Sequence, residues 1–315
     1  MANASAGRRG GAHRWIGAAA FALAAFLIWR ALHRYSLHAI ADSLSIISVR
    51  QLALGALFTA ASFLCLTGFD ALAVRYTRRE LPYRRIALAS FTSLSIGHTL
   101  GFAAFSSGAV RYRLYSSWGL SAGDVGRIIV FSGVTVGLGL ATLGGTILLV
   151  RHRLIAELFG VSAGALLALG VVLLALVLLY LGLAAFRHRP LRIRYFELPV
   201  PPLTLALGQV LLGTLDPLLV SAVLYQMLKA SAHIGYLPVA MCYITANLAA
   251  IVSHVPGGLG VIEAVILSLV PGANVIGALI AFRAVYYLIP FVLGSLTFAV
   301  TELLRRQRPA VPDPG

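Results

Sequence analysis

His254-Val255-Pro256-Gly257-Gly258-Leu259-Gly260-Val261-Ile262-Glu263 is a helix-breaking, glycine-dense turn that ends on a carboxylate and has apolar sequence on both sides. Hydrocarbon contains no water to satisfy an opened backbone, so a broken helix at membrane depth persists only where protein or a wet cavity surrounds it. The turn marks a candidate functional position, and its reading depends on what the rest of the chain is.

Composition settles the class. The 315 residues are 59% hydrophobic and 11% charged, with a mean hydropathy of +0.90. Apolar runs of about 18 residues or more recur along the chain, and none shows the period-2 alternation of a barrel strand. An all-α polytopic membrane protein of an inner or plasma membrane is expected. The net charge of +15 comes from 25 basic against 10 acidic residues, and the basic residues cluster between apolar runs. Such clustering sets topology and meets anionic lipid headgroups, so no nucleic-acid partner is expected. Cys65 and Cys242 lie in apolar segments without metal-ligand or CxxC spacing, which indicates neither a metal site nor a disulfide framework. The basic start and the run from Trp15 resemble a signal peptide, but Arg30, His33 and Arg34 stand where a cleavage site is needed. The segment is kept as a helix.

The apolar segments run from Trp15 to Leu32, Gln51 to Val74, Ile86 to Ser106, Val125 to Val150, Val161 to Phe186, Leu203 to Leu228, Leu237 to His254, Val261 to Val270 and Val275 to Thr301. A shift of about 150 residues superposes them and brings Gly108 onto Gly258, and Asp124 onto Asn274 as two helix N-caps. The expected architecture is an inverted repeat of about 150 residues, each half reading helix, helix, re-entrant hairpin, helix. Its turns are Ser106-Ser107-Gly108 and Pro256-Gly257-Gly258, with Gly260 beside the second. Residues 1–14 form a cytoplasmic basic N-terminus and 15–303 a single membrane domain, with repeats at about 15–150 and 161–301. Residues 304–315 form a cytoplasmic tail.

Charge supports this arrangement. With both hairpins returning and both termini cytoplasmic, the basic residues outside are Arg30, Arg34, Arg50, Arg151, Arg153 and Lys229, Arg283 lies within a helix, and all others are inside. Two opposed broken elements meeting near the midplane is a transporter architecture.

Charges inside apolar helices need a partner or a cavity. Asp70, Asp216 and Glu263 are the candidate acids, with Arg283 downstream. Asp70 is read either as an interfacial partner of Arg75 and Arg78 or as functional. Asp216 precedes Pro217 and so combines an acid with a helix kink. Glu263 and Arg283 form either a structural ion pair or a ligand site. Arg111 and Arg113 follow the first turn, and arginine forks there match phosphate oxygens, although an ordinary interfacial belt of Arg and Tyr has the same composition. His98 and His254 precede the two turns as polar lining or as plain hydrogen-bonded structure. No catalytic motif, nucleotide fingerprint or cofactor site is present, so no enzyme activity and no cofactor are expected. Asp216 and Glu263 are the carboxylates available for proton uptake.

Phe105-Ser106-Ser107-Gly108-Ala109-Val110-Arg111-Tyr112-Arg113-Leu114-Tyr115, followed by Trp118-Gly119-Leu120-Ser121, resembles a signature of the membrane region of lysylphosphatidylglycerol synthetase/flippase (MprF-type) proteins. Pro256 to Glu263, with Arg283 downstream, resembles the second signature of that family, which also includes stand-alone YbhN-like proteins. The resemblance covers the chain from about Gln51 onward. It implies a phospholipid translocase that moves an anionic or aminoacylated phospholipid, such as lysyl-phosphatidylglycerol, between leaflets. It also matches Asp70, Arg111, Glu263 and Arg283 to polar positions of that region. The family's bifunctional members carry a soluble aminoacyl-transfer domain that does not follow here, so no aminoacyl-lipid synthesis is expected. The expected partners are membrane phospholipids, with a second copy of the chain and a separate synthetase as the protein partners left open. Competing readings are an integral membrane lipid-modifying enzyme, a small-solute secondary transporter and a stabilising partner of another complex.

Overall fold

The structure of the protein is a computed structural model. It describes residues 47–100, 103–186, 191–193, 196–198, 200–229, 234–253, 260–269 and 275–306, together with 42, 44 and 45. The expected first helix, Trp15 to Leu32, lies outside the described residues, as do residues 1–14 and 307–315, while 304–306 of the expected tail continue the last helix. The described chain is helical apart from one short β-hairpin. Five stretches in it are long and apolar enough to cross a membrane: Val49–Tyr76, Ala122–Glu157, Ala163–Phe186, Leu203–Leu228 and Val275–Leu304. The protein is a multi-pass membrane protein.

Helix α1 is Val49–Tyr76, opened by a capping box in which Ser48 Oγ accepts from the Gln51 amide and the Gln51 side chain accepts from the Ser48 amide. This cap starts the helix two residues before the apolar run. Helix α2 is Tyr83–Leu100 and α3 is Ala103–Ser116. The break therefore falls before Ala103, and Ser106, Ser107 and Gly108 sit inside α3 rather than forming the turn that the sequence suggested. A small residue at Gly108 has a packing role, because a Cβ there would press on Ile129 at 3.3 Å.

A turn through Gly119, at φ 90°, leads into α4, Ala122–Phe159. Its N-cap is Ser121, with Asp124 three residues on completing the capping box, which corrects the assignment of the cap to Asp124. The helix continues well past Val150, with a kink at Arg151, and ends on Gly160 in the left-handed region. Helix α5, Ala163–Phe186, is largely exposed and presents its leucines outward. An antiparallel pair, β1 (Leu191–Ile193) and β2 (Phe196–Leu198), follows. The fold is all-helical as expected, and this three-residue pair lies in the connection between α5 and the next helix, where alternation of arginine with aliphatic and aromatic side chains suits a short strand pair.

Helix α6, Leu203–Leu228, carries Pro217 in its interior. Helices α7 (Tyr236–Ser253) and α8 (Val261–Leu269) come next. The last apolar segment divides into α9 (Val275–Arg283), a π-helical turn at Ala284–Leu288 and α10 (Ile289–Arg306). Pro290 has no N–H for the Tyr286 carbonyl, so the ordinary ladder cannot continue through this point and the turn widens.

Contacts along the helices fix their relative directions. Gly55 lies against Met227, Ser62 against Asp216, Gly68 against Leu212, and Leu72 against Gly208, so α1 and α6 run antiparallel along their lengths. Gln209 Nε2 donates to the Phe131 carbonyl (3.2 Å) and to Thr135 Oγ1 (3.0 Å), while Gly139 touches Gly213, so α4 and α6 run parallel. Helix α5 returns antiparallel to α4, with Gly145 facing Leu174 and Gly170 facing Leu148. Helix α2 runs antiparallel to α10, through Thr99 beside Tyr287 and Ser95 beside Gly294.

The tightest backbone-to-backbone approach among the described residues is that of α4 to α6. Pro217 cannot donate to the Gly213 carbonyl, and that carbonyl sits where a side chain on Gly139 would go, 1.9 Å from an added Cβ. Gly139→Ala is expected to lower thermal stability in detergent by roughly 1–3 kcal/mol. Gly137→Ala, two residues away with nothing within 4 Å, is expected to leave the melting temperature unchanged. Equal melting temperatures for the two variants would contradict the close crossing.

Candidate functional site

Two polar groupings interrupt the apolar interior, and both include residues of α1. In the first, Asp70 is fully buried and accepts a two-pronged contact from Arg111, with Nη2 to Oδ1 at 2.7 Å and Nε to Oδ2 at 3.1 Å. Tyr115 Oη donates to Oδ2 at 2.9 Å, and Ser132 Oγ to Oδ1 at 3.3 Å. Arg111 also reaches Ser107 Oγ at 3.4 Å. Ser107, Arg111 and Tyr115 are spaced by four on α3, so all three side chains lie on one helix face. The carboxylate is thus paired and hydrogen-bonded on both oxygens, which a buried charge requires. Asp70 is not the interfacial partner of Arg75 and Arg78.

Arg113 is two residues from Arg111, and on a helix that turns it to a different side. It pairs with Glu302 of α10. The two arginines do not act together as one fork. His98 packs its ring 6.4 Å from that of Phe63 and lies within electrostatic range of Arg111.

The second grouping lies two turns away along α1, about 12 Å by helical rise. Ser62 Oγ donates to Asp216 Oδ1 at 2.5 Å and lies 3.2 Å from Tyr286 Oη. Tyr286 belongs to the π turn, as does Tyr287, whose ring carries the Arg283 guanidinium at 4.7 Å. Arg283 Nε donates to Glu263 Oε1 at 2.7 Å, and Glu263 Oε2 accepts the Gly260 amide at 2.8 Å. Gly260 holds φ 82°, a conformation that suits glycine, so the end of the glycine-rich turn is tied to the first turn of α8. Glu263 and Arg283 are brought together, with side chains 23% and 7% exposed, whereas Asp70 and Arg111 are sealed at 0% and 4%.

His254, Pro256, Gly257 and Gly258 lie outside the described residues. The sequence reading missed Ser62, Tyr115, Ser132, Tyr286 and Tyr287. For Tyr115 the four-residue spacing from Arg111 was a usable signal, whereas Ser62, Ser132 and the tyrosine pair are ordinary residues until the helices pack.

One partner of each ion pair, Arg111 of the first and Glu263 of the second, lies in a signature stretch. The chain belongs to the lysylphosphatidylglycerol synthase TM region family. It matches that family over residues 17–294, which takes in every polar group described above except Glu302. An uncharacterized protein of Synechocystis sp., slr0712, is 33% identical over 297 residues, covering 93% of this chain and 92% of the relative. The inner membrane protein YbhN of Escherichia coli is 29% identical over 281 residues, covering 87% and 84%.

Within this family member the sealed pair is the one whose disruption should damage the fold. Leaving one charge of a buried pair without its partner costs about 3–5 kcal/mol. Asp70→Asn and Arg111→Met are each expected to melt far below the wild type in detergent. Asp70→Asn/Arg111→Met is expected to recover a large part of the loss. Losses that simply add in the double variant would show that the two residues are not coupled.

Proposed function

We propose that the protein is a phospholipid translocase, and that two re-entrant hairpins, α2–α3 and α7–α8, form its opposed gates within an inverted repeat. The antiparallel contact of α1 and α6 carries this reading. Helices α4 and α5 each cross once between them. If the α2–α3 pair also crossed, α1 and α6 would run in the same direction; a pair that returns to its own side makes them antiparallel. The equivalent elements of the two halves also exchange partners, because α2 packs on α10 while α7 packs on α4. Such a swap fits repeats related by a two-fold axis, and the antiparallel α1 and α6 favour an axis in the membrane plane.

The lipid headgroup is assigned to the less sealed pair. A phosphodiester competes with Glu263 for the Arg283 fork, and an aminoacyl ammonium competes with Arg283 for Glu263. A headgroup bearing both charges satisfies both side chains as it parts them. Asp70 and Arg111 hold α1, α3 and α4 together around that movement. Acyl tails stay in the bilayer, and the lipid is carried chemically unchanged.

Topology is tested by labelling single cysteines at Glu80, Ser117 and Gly160 in a Cys65→Ala/Cys242→Ala background. Glu80→Cys and Ser117→Cys are expected to react from one face and Gly160→Cys from the other. Opposite faces for the first two would remove the returning hairpin.

Transport is tested in liposomes holding fluorescent phosphatidylglycerol or its lysyl ester, by following leaflet exchange and recovering the lipid for mass analysis. Wild type is expected to exceed protein-free vesicles. Glu263→Gln is expected to slow the lysyl ester by about tenfold relative to phosphatidylglycerol, the equivalent of one lost charge contact. No exchange of either lipid above protein-free vesicles sinks the translocase reading, as would recovery of a modified lipid.

A further inference from the structure

We infer that Asp216 is a proton-binding site through which a transmembrane pH gradient drives the protein. The inference rests on the translocase reading for its consequence, but not for the site itself. Among the described residues, the other acids held inside the bundle each face an arginine: Asp70 faces Arg111, Asp124 faces Arg79, Glu263 faces Arg283, and Glu302 faces Arg113. Asp216 has no lysine, arginine or histidine within ion-pair distance among the described residues. Its side-chain partner is the neutral hydroxyl of Ser62.

Position makes this exception meaningful. Asp216 is at the middle of the 26-residue α6, and Ser62 is at the middle of the 28-residue α1. Their contact marks the midpoint of the antiparallel crossing, the depth at which an uncompensated carboxylate is least tolerable. Binding a proton to a carboxylate oxygen removes the charge without any change of partner, since Ser62 Oγ can also bond to a carboxylic acid.

Apart from Arg283 of α9, which is paired with Glu263, the groups around Asp216 among the described residues are weak acids or neutral. From α1 come Ser62 and Cys65, from α7 Tyr243, and from the π turn Tyr286 and Tyr287. Toward α4 and α5 the neighbouring polar groups are the neutral Gln209, Thr135 and Tyr180. Arg283 stands beyond Tyr287, already paired with Glu263. The hydroxyl of Tyr286 bridges the two regions through Ser62, and the π turn that holds it also holds the face on which Arg283 rests. A change of charge at Asp216 is therefore felt at the element that positions the headgroup pair.

The test uses the purified protein in two measurements. Infrared difference spectra are recorded across a pH titration in detergent for wild type, Asp216→Asn and Asp216→Glu. A band for a protonated carboxylic acid is expected in wild type, shifted in Asp216→Glu and missing in Asp216→Asn. The amide is close in shape to a protonated acid, and Asp216→Asn is expected to fold. Retention of the whole band in Asp216→Asn overturns the site.

In liposomes with the membrane potential clamped, a gradient of one pH unit is expected to shift the leaflet ratio of the lipid by about tenfold at one proton per lipid. Asp216→Asn is expected to give the same ratio with and without the gradient. Wild-type exchange that ignores the pH gradient, or follows a sodium gradient instead, overturns proton coupling while the translocase reading stands. Absence of all exchange removes the translocase reading, and the infrared result then decides on the proton site alone.

Discussion

Two apolar helices in hydrocarbon gain little by hiding from lipid that is as apolar as they are, so their association depends on close packing and on polar contacts. The crossing of α1 and α6 has both. Gly55, Gly68 and Gly208 each receive a side chain of the facing helix, Met227, Leu212 and Leu72 in turn, where a Cβ would collide. At the midpoint Ser62 bonds to Asp216, and one turn on, Cys65 Sγ donates to the Leu212 carbonyl at 3.3 Å. Everything else in the bundle is placed relative to this pair. The parallel run of α4 along α6 and the swapped packing of α2 and α7 follow from its direction.

The two ion pairs then have separate duties because their surroundings differ. Asp70 accepts from Arg111, Tyr115 and Ser132, so three elements converge on one carboxylate and no solvent reaches it. A charge so fully satisfied is hard to move, since each lost bond exposes another group to an environment that offers no replacement. Glu263 and Arg283 belong to short helices on either side of residues 270–274 and keep part of their surface open. In the proposed translocation, a headgroup replaces each partner of this pair with one of like charge, an exchange for which the sealed Asp70–Arg111 pair leaves no opening.

Much of the helical order was legible from hydropathy, because a run of about 20 apolar residues has few alternatives in a membrane chain. Leu203–Leu228 was read to the residue. Ends were less legible where a cap lies outside the apolar run, as Ser48 and Ser121 do. Ser106-Ser107-Gly108 was misplaced because glycine and serine break helices in water, yet inside a membrane they let helices approach and bond. Gly108 does so against Ile129 of α4, and Ser107 bonds to Arg111 within α3. The partner of Asp70 was hidden by sequence distance. Arg75 and Arg78 are near in the chain, but spacings of five and eight do not align with the i+3 and i+4 neighbours of a helix, and the true partner is 41 residues on.

The widened turn at Ala284–Leu288 links the two parts of the second grouping, Ser62 with Asp216 and Glu263 with Arg283. Ordinary helical spacing would carry Tyr286 and Tyr287 round at 100° per residue with every carbonyl paired. Pro290 prevents that closure, and the π turn presents Tyr286 toward Ser62 while Tyr287 lies beneath Arg283. Phe282 stacks on Tyr286 with rings 5.8 Å apart, and the two tyrosines meet edge to face at 5.0 Å. Rings packed this closely move as a unit, because rotating one forces its neighbours out of contact. Any shift of Ser62 against Asp216 at the helix crossing therefore displaces the aromatic seat of Arg283, and parting Arg283 from Glu263 displaces the hydroxyl that faces Ser62.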